Sequence, residues 1–193
     1  MFQRLITYWV YGGTLAGVLL LLLTPVLTSG WPLVLVAIFL HLPAYMLHQH
    51  EEHDNDRFRQ FVNTVIGKGR EVLSPTAVFV INVPGVWGVV AFSLYLAVTI
   101  NCGFGLIAVY LVLVNGVAHV LQGIALRRYN PGLVSAVFLF IPLGTVTLWL
   151  IQKAGSGTFF YHAIGLLSAV AIHAAILIHV RLQFSRAAIT PSK

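Results

Sequence analysis

Six stretches of predominantly apolar residues, each roughly 20 or more long and so able to cross a bilayer as a helix, fall at about 7–28, 31–50, 74–101, 104–125, 133–152 and 158–181. In hydrocarbon the backbone has no water to bond with and must satisfy its own donors and acceptors, which restricts such stretches to regular structure. Composition supports the reading: 59% of residues are hydrophobic and 8% charged, against about a quarter charged in soluble domains. The expected fold is all-α, a polytopic membrane bundle of six helices forming one domain over residues 1–193. The one cysteine, Cys102, excludes an internal disulfide and a thiolate cluster.

Basic residues give the orientation, because short loops rich in Lys and Arg stay on the cytoplasmic side. Six helices put Arg4, Arg57, Arg59, Lys68, Arg70, Arg127, Arg128, Arg181, Arg186 and Lys193 on one side and leave Lys153 on the other. Both termini are therefore expected in the cytoplasm, in a bacterial inner membrane. The net charge of +6 is a topology signal beside anionic lipid, not a nucleic-acid footprint. The first apolar run follows a single Arg4 but is too long in its core for a signal peptide, so it reads as a retained helix. The chain from Gln183 onward reads as a short solvated end.

Against this background one polar stretch stands out, His48-Gln49-His50-Glu51-Glu52-His53, which holds two of the five acidic residues. At about 100° per residue on a helix, His48, Glu51 and Glu52 share one face and His50 and His53 the opposite one. Tyr45 and His41 extend the first face inward. Beyond the motif, Phe58, Phe61, Val62, Val65 and Ile66 recur with helical spacing between polar residues, and Gly67 and Gly69 follow. That pattern predicts a short amphipathic interfacial helix, either packed on the bundle or poised over a site.

Further polar residues lie on the later helices. Ser74-Pro75 starts the third, and Pro84 breaks its hydrogen bonding next to Asn82, which either satisfies loosened backbone or touches substrate. Asn115, His119 and Gln122 share a stripe of the fourth, with His119 near the depth of His48; polar stripes on membrane helices face the bundle interior. The fifth carries no polar constellation and reads as packing. His162 and His173 share a face of the sixth but lie about 16 Å apart along it, so only His173 is within reach of the motif. His179 points elsewhere.

The sequence resembles the HXXEE family of membrane proteins. The motif reads His48-Gln49-His50-Glu51-Glu52 here, and a further histidine, His119, and Tyr129-Asn130-Pro131-Gly132 follow in the expected order. The resemblance spans about residues 31–132 and implies an enzyme of unstated substrate and reaction.

Imidazole and carboxylate donors suit a divalent metal, zinc first and iron second. His48, one of Glu51 and Glu52, and His119 would supply three ligands, with His173 as a further candidate and the other glutamate as general base. His41, Tyr45, Asn82, Asn115, Gln122 and Tyr129 would line the substrate or support the ligands. A zincin motif would need histidine at Asp54 and is absent. The expected activity is a metal-dependent hydrolase acting on a lipid-like or hydrophobic substrate from the cytoplasmic leaflet. Alternatives are a non-haem di-iron oxidase, an ion- or proton-coupled transporter, and a metal-free bundle whose motif caps a helix and pairs with Arg57 or Arg127.

Overall fold

Prolines and left-handed residues mark where each helix starts, bends and stops. The structure, a computed structural model, describes residues 2–189. Six helical segments are long and apolar enough to cross a membrane, and no strand forms among the described residues. The chain is an integral membrane protein of all-α architecture. The first helix is Phe2–Leu27, and the second comprises Leu33–Phe39 and His41–His53, bent where Pro43 lacks the N–H that would bond Phe39. The motif helix ends at His53 because Asn55 and Asp56 take positive φ, 51° and 62°. Asn and Asp tolerate that conformation better than other non-glycine residues.

The amphipathic helix follows at 57–66. Val62, on its apolar side, packs with Trp9, Val72, Leu73 and Val78, while Phe58 turns toward the motif. The apolar side thus packs on the bundle.

The third segment is Pro75–Thr99, capped by Ser74, whose Oγ accepts from Ala77 N at 3.2 Å. Its turns widen to π-helical geometry over Ile81–Trp87, around Pro84. The fourth segment, Cys102–Leu126, lies at the centre, with Leu106, Ala108, Val109, Leu111 and Val112 fully buried. It packs against the fifth, Leu133–Lys153, and the sixth, Phe159–Ile189. Lipid tails are as apolar as leucine, so these contacts depend on close fit between helices: a Cβ on Gly165 would lie 2.6 Å from the Leu106 carbonyl oxygen.

The end of the chain differs from expectation. Instead of becoming solvated at Gln183, the sixth helix continues, and Val180 and Phe184 pack against the Trp9–Val72 cluster. The Arg70 guanidinium lies 4.5 Å from the Phe184 ring centroid. Residues from 190 on, including Lys193, lie outside the described residues.

Candidate metal centre

His48, Glu52 and His119 converge where the second and fourth helices approach the arginine-rich end. His48 Nε2 lies 3.6 Å from Glu52 Oε2, His119 Nε2 lies 3.6 Å from Glu52 Oε1, and all three ligand atoms fall within 4.8 Å of one another. All three residues are buried. With bonds of about 2.0–2.2 Å, tetrahedral ligand atoms stand about 3.3–3.6 Å apart, so the spacing suits one ion.

Hydrogen-bond partners assign the protons. Asn130 donates from Nδ2 to the His119 carbonyl oxygen at 2.9 Å, so its Oδ1, 2.7 Å from His119 Nδ1, must accept. The Ser135 hydroxyl donates to Glu51 Oε2 in a short bond, so its oxygen accepts from His48 Nδ1 at 2.8 Å. Both imidazoles thus carry a proton on Nδ1 and, as neutral rings, direct an Nε2 lone pair toward Glu52. Ligating histidines are held this way, with the remote nitrogen tethered and the near one free. His48 Nε2 is buried without any hydrogen bond. Two lone pairs facing a carboxylate repel one another unless a cation lies between them.

Both tethers come from the Tyr129–Ser135 segment, and Glu51 anchors that segment. Its carboxylate accepts from Tyr129 Oη at 2.8 Å, Val134 N at 3.0 Å, Ser135 N at 2.7 Å and Ser135 Oγ. Partial burial, and then the bond to Glu51, raise the Tyr129 phenol above its ordinary value, which keeps it a donor. Gly132 passes between the two rings at φ 97°; a Cβ there would lie 2.7 Å from His119 Cε1 and 2.9 Å from His48 Cε1. Only glycine combines that backbone with that approach. The fifth helix, expected to do no more than pack, contributes Ser135 and Phe140, whose ring stacks on His48 at 4.1 Å between centroids.

The remaining candidates divide. Glu51 lies outside the cluster, its lone pairs spent on the loop, so neither a ligand nor a general-base role suits its geometry. His53, expected on the opposite face with His50, is buried, with Nε2 3.1 Å from Glu52 Oε2 and no hydrogen bond at either ring nitrogen. His50 alone faces away, 3.1 Å from Thr14 Oγ1. Asn82 accepts from Gln49 Nε2 at 2.9 Å and donates to the Val78 carbonyl oxygen at 2.8 Å, while Trp87 Nε1 donates to Gln49 Oε1 at 2.5 Å. That closed network ties the third helix to the second. His41 lies deeper, bonded to the Ala37 carbonyl oxygen at 2.9 Å, and Tyr45 Oη donates to Leu111 O at 3.3 Å.

A cavity of about 270 Å³ opens beside the cluster between the third, fourth and sixth helices. Glu52, His53 and His119 form its polar end, and Tyr45, Asn82, Asn115, Gln122 and His173 line it among mostly apolar side chains. His173 Nδ1 donates to the Ala169 carbonyl oxygen at 2.8 Å; the residue faces the cavity and is not a member of the three-residue cluster. Sequence periodicity could not reveal Asn130, Ser135 and His53. The first two belong to a loop and the helix start that follows it, which fold back on the motif, and helical spacing carries no information about such a return.

No curated protein and no solved structure matches this chain. A family model described as "Protein of unknown function with HXXEE motif" matches residues 39–147. The match extends further into the fifth helix than the motifs alone suggest, taking in Ser135 and Phe140. It covers more than half of the chain and contains the whole cluster with both tethers, so the chain belongs to the HXXEE family.

Proposed function

We propose that this protein is a metal-dependent membrane hydrolase with one divalent ion, zinc first, held by His48 Nε2, His119 Nε2 and a Glu52 oxygen, acting on a lipid-like ester, amide or phosphoester. The observation that carries the reading is the convergence of two Nδ1-tethered imidazoles on one buried carboxylate. Two histidines and a glutamate form a known catalytic zinc set that leaves a fourth position open. The ion would polarise the scissile group and acidify a water molecule. His53, whose two nitrogens are free of hydrogen bonds beside Glu52, stands where it can take a proton from the attacking water and return it to the leaving group. Water supplies the oxygen of the new acid, and the leaving atom departs with a proton. The apolar cavity would hold the hydrophobic part of the substrate.

The same donor set, two histidines and one carboxylate, also suits non-haem iron in oxygen chemistry, so iron is the second reading. A two-iron site finds less support, because Glu51 is engaged by the loop. Transport also finds less support, because the polar groups gather at one end. By the distribution of basic residues that end faces the cytoplasm; reporter fusions after Gly30 and Gly155 should report the outer side.

Elemental analysis of the purified protein tests the assignment. One zinc per chain supports hydrolysis, iron transfers support to oxygen chemistry, and the absence of any metal after purification without chelators and after reloading overturns the site.

A further inference from the structure

A second cavity, of about 370 Å³, lies between the start of the first helix and the loop after the motif. It is more mixed in character than the first: Gln3, Thr7, Asn55, Asp56 and Arg59 line one part of it and Ile6, Trp9, Val10 and Pro75 another, and several of the polar residues are solvent-exposed at the arginine-rich end. Arg59 is paired with Asp56 at 2.5 Å and with Glu71 at 3.0 Å, so the chamber presents both signs of charge. Two residues, His53 and Val78, line both cavities. They form the partition, directly beside Glu52.

Only two side chains make up the partition. The His53 side chain is 4% exposed, with its Nε2 3.1 Å from Glu52 Oε2, and its ring lies 5.1 Å from Trp9 and 5.4 Å from Phe58 between centroids. The apolar chamber meanwhile reaches the lipid-facing surface, since Leu177, one of its walls, is 68% exposed. A chain could enter there from the membrane while a polar group remains at the arginine-rich end.

Resting on the hydrolase reading, we infer that the substrate is a single-chain amphiphile whose hydrocarbon chain fills the first cavity and whose polar, zwitterion-compatible head occupies the second, with the cleaved linkage at the His53–Val78 partition beside Glu52. Each cavity matches one half of such a molecule. A two-chain lipid would need a second apolar channel at the same junction.

Cysteine labelling tests this without depending on bound metal. In a Cys102→Ala background, Ile172→Cys reports the apolar chamber and Thr7→Cys the polar one. A membrane-impermeant cationic thiosulfonate should label Thr7→Cys readily and Ile172→Cys at least tenfold more slowly, whereas an alkyl maleimide should reach Ile172→Cys. Combining His53→Ala with Val78→Ala should raise cationic labelling of Ile172→Cys about tenfold, while unchanged Thr7→Cys labelling shows that the fold persists. A lysophospholipid should slow labelling at both cysteines, and dodecane only at Ile172→Cys. Fast cationic labelling with the partition intact, no increase once it is removed, or protection by lysophospholipid at only one cysteine would overturn the proposal. Labelling as expected in a protein that binds no metal would sink the hydrolase reading alone, and metal binding without the labelling pattern would sink the two-chamber substrate alone.

Discussion

His119 and His162 stand near opposite ends of the bundle, and their surroundings differ in a way that separates a ligand from a packing residue. His162 spends both nitrogens: Gln152 Nε2 donates to its Nε2 at 2.6 Å, so its Nδ1 carries the proton and donates to Tyr110 Oη at 2.7 Å. His119 spends one on Asn130 and directs the other at Glu52. An imidazole with both nitrogens partnered is a structural crosslink. One with a tethered Nδ1 and a free Nε2 facing a carboxylate is prepared for a cation. The chain's histidines are thus distinguished by what their second nitrogen does.

The largest expected effect breaks this comparison at its strong end. Glu52→Ala, His48→Ala and His119→Ala should each reduce bound metal to below about a tenth of an equivalent, since each removes one of only three ligands. His162→Ala should leave the metal content unchanged. Elemental analysis of the four variants, purified in parallel, reads the difference; metal loss in His162→Ala equal to that in His119→Ala would erase the distinction.

Next in size is Gly132→Ala. Its φ of 97° and the 2.7 Å approach of a new Cβ to His119 combine backbone strain of about 1–3 kcal/mol with separation of the two rings. The variant should melt several degrees lower and bind metal more weakly, whereas Gly155→Ala, at φ 73° with open space around it, should lose stability without losing metal. Thermal unfolding with and without added zinc separates the two effects.

The apolar runs made the helices legible in the sequence, and the three cluster residues were legible as candidates, because helix spacing and depth place His48, Glu52 and His119 near one another. The roles of the two glutamates were not. From His48, Glu52 lies about 40° around the helix and His53 about 140°, while Glu51 lies about 60° the other way. The structure buries His48, Gln49, Glu52 and His53, so the inward face is centred between Glu52 and His53, rotated away from Glu51. That rotation is set by the Tyr129–Ser135 segment, which occupies Glu51's side, and by the first helix, where Thr14 meets His50. Both are tertiary neighbours, invisible to the periodicity of a single helix. The same holds for Asn130 and Ser135, whose sequence separation from the residues they orient, 11 for Asn130–His119 and 87 for Ser135–His48, spans a loop closure no local pattern encodes.

The tethers give a smaller and more graded effect. Asn130→Ala and Ser135→Ala leave all three ligands in place but release one imidazole each, and should weaken metal affinity about 10–100-fold. Glu51→Gln should fall in the same range by loosening the segment that carries both tethers, while Glu52→Gln should behave as a lost ligand. Competition with a chromogenic chelator measures these affinities. Equal affinities for Glu51→Gln and Glu52→Gln would undo the separate roles assigned to the neighbouring carboxylates.

The smallest effect comes from the far end. Tyr110→Phe removes the hydroxyl that accepts from His162 Nδ1 and keeps the ring, which contacts His162 at 5.8 Å between centroids. Interhelical hydrogen bonds within membranes contribute about 0.6 kcal/mol on average by double-mutant cycles, and the fourth and sixth helices pack along much of their length, so the bundle should persist with a slightly lowered midpoint. His162→Phe should cost somewhat more, because it also removes the Gln152 bond, and the double variant little more than His162→Phe alone, since both variants remove the Tyr110 bond. Neither should change metal affinity, because no hydrogen bond of this crosslink reaches the cluster. Steric-trap unfolding in bicelles resolves differences of this size; a loss of several kcal/mol, or any loss of metal, would show that the far end does more than hold two helices together.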